Sequence, residues 1–346
     1  VSPGLLHIAG CCCGVSGPPV LLCMKNVMGS WKPQAGSYDD DGWYFDIPTG
    51  ALAYDNDYST GRICVNSAGL WCVAYTDYYG DLQYTVRNES SDWTETTIAS
   101  GSSYFTFTIR DMGMHGNKVA VAVNRLTSYP WYKGVVYEYD GSSWTSTDVT
   151  GSNMAVDIRL AYDTSGNLHV STWGSTDGHE YDGTNIGFSS YNSRLVITPD
   201  DDVYLFTIES ETLQAYYSTG GAWSWLDTGI SSIGYGIRPD VAVDADGAFH
   251  VVTGDYKDIS PLLSYHTNVS GSWVPSSVTS TYYSQREVWN IGLNRDNVVY
   301  IACDDYGYSD YVLFTLIDGS WVKSRAIGSE ETLQNMAIPG GYGYSQ

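Results

Sequence analysis

The stretch "PDVAVDADGAFHVVTGDYKDISPLLSYHTNVSGSWVPSSV", residues 239–278, decides the fold. Four short apolar-rich runs alternate with turn residues. "DVAV" ends in the Asp/Gly turn "DADG", and "AFHVVTG" follows. "LLSYHTN" is a third run, and "SGSW" turns the chain into a fourth, "VPSSV". Short runs bounded by Gly, Asp, Asn and Ser carry strand patterning, and tight turns make successive strands antiparallel. The same grammar recurs in "RICVNSAGLWCVAY" (62–75), "IRLAYDTSGNLHVSTW" (158–173), "RLVITPDDDVYLFTI" (194–208) and "NIGLNRDNVVYIAC" (290–303). A Trp after small turn residues marks the fourth run, at Trp31, Trp93, Trp144, Trp223, Trp273 and Trp321, with gaps of 62, 51, 79, 50 and 48. The gap of 79 holds two shortened units, with the missing marker near Ile186, which gives seven units.

A unit of four strands cannot bury its faces alone, and repetition about an axis solves the problem. Units of about 40–50 residues predict an all-β fold: a seven-bladed β-propeller of four-stranded antiparallel blades, one domain over 1–346. The strands of each blade run from A, innermost, to D, outermost. Small residues suit the crowded middle of strand A, and Cys64, Ala161, Thr198, Ala242, Gly292 and Ala337 are assigned there. The unit around "FTFTIRDMGMHGNK" (105–118) does not align at this position.

The termini compete for two readings. Ile8-Ala9-Gly10-Cys11 looks like the end of a lipoprotein signal, but no basic region precedes it and the apolar run is short. "LLHIAG" (5–10) also matches "NLHVST" (167–172) and "AFHVVT" (248–253), with His7 in register with His169 and His250. That makes it strand B of a unit, with "PVLLCMKNVMGSW" as strand C and "KPQAG" as strand D. The missing strand A is supplied by "LQNMAIPGGYG" (333–343). The expected closing blade combines 333–346 with 1–37, an insertion loop spans about 38–60, and the ring has no free edge.

The runs "DVAVDADGAFHVV" and "LLSYHTNVSGSW" resemble the BNR-like propeller repeats of extracellular proteins, related to those of sialidases. The resemblance spans nearly the whole chain and implies the propeller fold. In sialidase Asp-boxes an Asp-x-Gly precedes an aromatic in the outer hairpin. Here the outer hairpins carry Gly-Ser-Trp and the Asp/Gly turns lie between strands A and B, so the resemblance does not transfer sialidase activity.

Composition narrows the partners. The net charge is −23, from 16 basic and 39 acidic residues, and no basic stripe is present to track phosphates. Nucleic acid is excluded as an expected partner, and so is insertion into a membrane, since no apolar run of about 18 residues occurs. The acidity and the resemblance together place the chain outside a cell or on a particle such as a virion. Seven Cys is an odd count. Cys64, Cys72 and Cys303 lie in strand-like runs and are expected to be buried. Cys11, Cys12, Cys13 and Cys23 crowd the N-terminus, where a disulfide or a link to a neighbouring chain is expected. No cofactor is expected. Oxygen ligands suited to calcium cluster in "YDDDG" (38–42), "DNDYSTG" (55–61) and "PDDDVY" (199–204), though none has EF-hand spacing, and the N-terminal cysteines fit no standard zinc motif.

Function is expected on one face. The A–B and C–D turns share a face and are short. The B–C and D–A connections share the other, vary from unit to unit and are rich in Tyr, Trp and Asp, the chemistry of saccharide or protein recognition. Ligand contacts are expected from Tyr78, Tyr79, Trp131, Tyr256 and Tyr306. Arg62, Arg159, Arg194, Arg238 and Arg286 start strand A or just precede it, which would ring the channel mouth with anion-binding guanidinium groups. The alternative is that each pairs with a neighbouring carboxylate, such as Asp240 or Asp157, and locks blade to blade. A glycan, including an acidic one, or a protein is the expected partner. The alternatives are a polysaccharide-cleaving enzyme and a purely structural subunit. For the enzyme, Asp77, Asp81, Glu209, Glu211, Asp255, Asp304 and Asp305 offer carboxylates on the right face, and Tyr78, Tyr79 and Tyr256 offer phenols, but spacing selects no catalytic pair. His7, His169 and His250 recur at one repeat position and are expected to be structural. Asn88 and Asn268 head glycosylation sequons in C–D turns.

Overall fold

The computed structural model is all-β. It describes residues 61–327 apart from connecting stretches, the longer of which are 66–69, 88–91, 102–106, 150–154, 187–192, 234–238, 255–262, 279–288 and 306–309. It also describes the backbone of 9–10, 20–27, 30–39, 42–46 and 331–338.

Six sheets have four strands each, paired in chain order and antiparallel throughout. The first holds Gly61–Val65, Trp71–Thr76, Leu82–Arg87 and Trp93–Ala99. The second runs from Phe107–His115 to Trp144–Asp148, the third from Ala155–Tyr162 to Thr184–Asn185 and the fourth from Arg194–Ile197 to Ala222–Ser231. The fifth runs from Asp240–Val243 to Val274–Ser277, and the sixth from Trp289–Leu293 to Ser320–Ile327. The long gap between Trp144 and Trp223 thus contains a sheet whose fourth strand is only two residues.

The terminal strands form a sheet of a different kind, with five strands. Glu331–Ile338 pairs antiparallel with Val20–Val27, which pairs with Ser30–Asp39 and then Gly42–Asp46. On its other side it pairs with Ala9–Gly10 in parallel. This corrects the expected strand assignment by one place. Val20–Val27 lies between Glu331–Ile338 and Ser30–Asp39 and so takes position B. Ser30–Asp39 takes position C, and Gly42–Asp46, expected within an insertion, takes D. "LLHIAG" contributes only Ala9–Gly10; His7 lies outside the described residues.

Each first strand packs against the first strand of the next sheet, in chain order, and Glu331–Ile338 packs against both Trp289–Leu293 and Gly61–Val65. The core lies between neighbouring sheets: Cys64, Cys72 and Leu82 of the first meet Met112, Val121 and Tyr137 of the second. Cys303 is buried in the same way between the fifth and sixth.

The recurring Trp is explained by this packing. Trp144 of the second sheet meets Tyr84 of the first edge-on, with ring centroids 5.3 Å apart. Trp223 of the fourth meets Tyr181 of the third at 5.1 Å, and Trp321 of the sixth meets Tyr265 of the fifth at 5.3 Å. An aromatic at the start of the outer strand therefore staples its sheet to the previous one, a contact worth about 1 kcal/mol beyond the area buried.

The A–B turns are built by side-chain caps. Asp163, Asp244 and Asn294 each accept the amide four residues on through Oδ1, at 2.7, 2.8 and 2.9 Å. Thr198 takes the same place, its Oγ1 accepting the Asp202 amide at 3.2 Å. Thr198 is therefore a turn residue, and Val196, two residues earlier, occupies the place equivalent to Ala161, Ala242 and Gly292. A valine fits there because it lies fully buried among Phe206, Val241 and Phe249.

Candidate functional site

Four residues before each cap lies a polar residue, and the equivalence brings a set together. Arg159, Arg194, Asp240 and Asn290 precede Asp163, Thr198, Asp244 and Asn294 by four, as Asp111 precedes His115 and Arg62 precedes Asn66. All six are buried, none more than 4 % exposed. Five of the six reach toward the adjacent sheet, and some also bond within their own strand, as Arg62 does to the Gly61 carbonyl at 2.7 Å. Arg62 donates to the Arg110 carbonyl at 3.0 Å, and Asp111 accepts the Leu160 amide at 2.9 Å. Arg159 donates through Nε to the Ser193 carbonyl at 3.0 Å and pairs with Asp157 at 2.7 Å. The Arg194 Nε lies 3.1 Å from Asp240 Oδ1, and Asp240 Oδ2 accepts the Ile291 amide at 3.0 Å and Asn290 Nδ2 at 3.3 Å.

This is a belt of forward-reaching latches. Arg62, Arg159 and Arg194 were expected to offer guanidinium groups to an anion. At 1–2 % exposure they are instead committed to protein carbonyls and carboxylates, the arrangement set out as the alternative. The unit that resisted alignment fits once Asp111 takes the belt position, which puts Gly113 at the small one. Arg238 and Arg286 lie outside the described residues.

The B–C connections of the first and fourth sheets are described, and the first is the more elaborate. Asp77 Oδ1 accepts the amides of Tyr79 and Asp81 at 2.9 and 2.8 Å, and Asp77 Oδ2 accepts Gln83 Nε2 at 2.9 Å. Asp81 Oδ1 accepts the Gly101 amide at 2.6 Å. These bonds pin a turn, with Gly80 at φ +84°, that displays the Tyr79 ring at 71 % exposure. Asp77 and Asp81, counted as candidate catalytic carboxylates, are turn caps. Glu209 accepts the Tyr216 hydroxyl at 3.1 Å, and Glu211 sits exposed in a turn at φ +64°. Trp131, Asp304 and Asp305 lie in strands whose side chains at those positions are not described. Tyr78, Tyr256, Tyr306 and Asp255 are outside the described residues, as are Cys11, Cys12, Cys13 and Asn88.

The two described strand-B histidines are locked by neighbours of one pattern. His169 Nδ1 meets the Tyr181 hydroxyl and Nε2 lies 3.4 Å from Asp163; His250 contacts the Tyr265 hydroxyl and lies 3.3 Å from Asp244. The carboxylate of Asp182, backed by Asp163, holds the His169 pKa above its usual value against burial. Burial dominates at His250 and lowers it. Of the calcium candidates, Asp201 is engaged by the Thr164 amide and hydroxyl at 2.8 and 2.7 Å, and among the described residues no cluster has a metal's donor set.

A wedge between the first and second sheets is not part of the repeat pattern. A cavity of about 520 Å³ opens there, walled by Tyr84, Tyr139 and Trp144. Only the marker Trp hinted at it.

No protein-family model and no curated protein matches the chain. Solved structures do. A protein from Lactobacillus plantarum superposes with a TM-score of 0.60 at 12% identity, over 92% of this chain and 98% of that one. A Bacteroides fragilis protein proposed to be a 6-phosphogluconolactonase gives 0.58 at 11%, over 93% and 97%. The lectin of Aleuria aurantia, described as a six-bladed β-propeller with a novel fucose recognition mode, gives 0.52 at 11%, over 94% and 96%. The chain has the β-propeller fold. The resemblance to BNR-like repeats is supported at the level of that fold and no further.

Proposed function

We propose that this propeller is a non-catalytic recognition module that binds a glycan through the face carrying its B–C and D–A loops. The observation that carries the reading is Tyr79, an aromatic ring held out to solvent by a turn that the Asp77 carboxylate fixes at three points. A preorganised ring stacks on a sugar's C–H face at small entropic cost. Tyr78, Trp131, Tyr256, Tyr306, Arg238 and Arg286 complete the contact set on that face. The propeller lectin among the similar structures supports a glycan partner. The case for an acidic glycan is weaker, because Arg62, Arg159 and Arg194 are committed to the belt.

The disc is one domain and a closed ring of seven blades, the terminal five-stranded sheet being the seventh. The succession of packed first strands, returning from Glu331–Ile338 to Gly61–Val65, supports closure. We place the protein outside a cell or on a particle surface, in keeping with its net charge of −23.

The test is a glycan array probed with the wild-type chain and with Tyr79→Ala, a substitution at an exposed site. Loss of one aromatic stack, about 1.4 kcal/mol, weakens binding about tenfold. Unchanged binding would remove Tyr79 from the site. Binding to no glycan, with a stoichiometric protein complex instead, would favour the structural subunit, and polysaccharide turnover would favour the enzyme.

A further inference from the structure

We propose a second saccharide site, on the opposite face from Tyr79, in the wedge between the first and second sheets, that takes a neutral pyranoside. The wedge exists because of one short turn. In the third to sixth sheets the A–B turn is closed by a bond from residue i to the carbonyl of i+4, at 163–167, 198–202, 244–248 and 294–298. In the second sheet His115 pairs directly with Lys118, leaving only Gly116 and Asn117 in the turn. Chain that elsewhere crosses the end of the sheet is missing here, and the space beside Met114 and Val119 stays open.

The lining selects the chemistry. Trp144 sits 5.3 Å from both Tyr84 and Tyr139, and the Tyr139 hydroxyl donates to the Gly141 carbonyl at 3.0 Å. The aromatic wall is thereby held in place by its own packing. Around it Thr94, Thr96 and Asn117 are exposed and present hydroxyl and amide groups, while the exposed Ser142 hydroxyl donates to Asp140 Oδ1 at 2.7 Å and keeps its oxygen as an acceptor. None of the twelve lining residues is charged, although the chain carries −23. An apolar wall beside uncharged donors and acceptors matches a pyranose, which has C–H faces and equatorial hydroxyls. It offers no ion pair to an acidic sugar or a cation. The volume falls in the range of small-ligand sites, roughly 300–1,000 Å³.

The experiment uses the full chain labelled with 5-fluorotryptophan. The Trp144 resonance is identified as the one lost in Trp144→Phe, or, if that variant misfolds, as the one perturbed by Asn117→Asp at the groove rim. Methyl glycosides of galactose, glucose, mannose and N-acetylglucosamine are titrated to about 50 mM, with glucuronate and choline as charged controls. The expected result is a saturable shift with at least one neutral glycoside, abolished in Thr96→Arg and retained in Tyr79→Ala, so this site stands or falls apart from the loop face. No shift with any neutral glycoside, a shift that survives Thr96→Arg, or an equal response to glucuronate or choline would overturn the proposal.

Discussion

Arg194→Ala tests the belt directly. Arg194 is 1 % exposed and its Nε lies 3.1 Å from Asp240, itself 4 % exposed. Truncation leaves a buried carboxylate without its neighbouring cation and a cavity where a fully buried arginine side chain stood. Breaking a buried pair from one side costs about 3–5 kcal/mol, read as a drop in the urea midpoint followed by tryptophan fluorescence. Asp240→Asn keeps an oxygen for the Ile291 amide, and the double variant Arg194→Met/Asp240→Asn removes both charges. The double variant is expected to be more stable than Arg194→Ala, since no lone charge remains buried. The pH dependence has a sign. Burial already pushes the Asp240 carboxyl up, with Arg194 opposing it. A group with a raised folded-state pKa favours the fold at low pH and loses that contribution as pH rises through the folded value. Without Arg194 the carboxyl rises further, so the penalty of Arg194→Ala shrinks between pH 7 and pH 4. A penalty below about 1 kcal/mol at pH 7, or a fully stable variant that loses only ligand binding, would refute the latch and return Arg194 to an anion site.

Three further outcomes are expected. Trp321→Ala removes the edge contact with Tyr265 and the 3.3 Å bond from Nε1 to Ser276; a loss of about 2 kcal/mol in urea unfolding is expected, with Trp321→Phe losing less than half of it. Gly166→Ala places a side chain at φ +75° with its Cβ 2.7 Å from the His115 ring, so a loss of about 1–2 kcal/mol should appear in thermal melts. Burial lowers His266 to about 4. The unfolded chain takes up that proton first, so stability falls as pH drops from about 6.5 toward 4, by up to roughly 3 kcal/mol, and His266→Gln should flatten the curve.

The repeat was legible because turn chemistry is local. Asp163, Asp244 and Asn294 cap amides within four residues of themselves, so their spacing shows in the chain without any knowledge of packing. Trp144, Trp223 and Trp321 were legible as markers but not as staples, because their partners Tyr84, Tyr181 and Tyr265 lie a unit away. The terminal sheet was assigned one strand out of place for a related reason. His7 matched His169 by pattern, whereas the choice between "LLHIAG" and "VLLCMKNV" as the second strand depends on what covers each face. The wedge showed in the sequence only as the marker Trp144. Its cause, a two-residue turn at Gly116–Asn117, falls in the one unit whose alignment had failed, and a missing turn registers in sequence only when its equivalents have been aligned.

The belt shows how a true regularity can suggest the wrong chemistry. Arginines recurring before strand A fit both a convergent anion site and pairing with carboxylates such as Asp240 and Asp157, because one-sided inspection of the arginines does not separate the two. A ligand site built from equivalent positions needs one sign of charge aimed inward. A latch needs donors and acceptors that suit the adjacent strand. The equivalent strand-A position carries Arg, Asp, Arg, Arg, Asp and Asn in successive sheets, and Asp111 and Asp240 accept backbone amides while Arg62 and Arg159 donate to backbone carbonyls. Both kinds of side chain satisfy the same strand-to-strand junction from opposite ends of the hydrogen bond. That mixture of donors and acceptors at one repeat position marks an internal seam. The exposed aromatic on a rigid turn, outside that seam, is where binding chemistry has room to act.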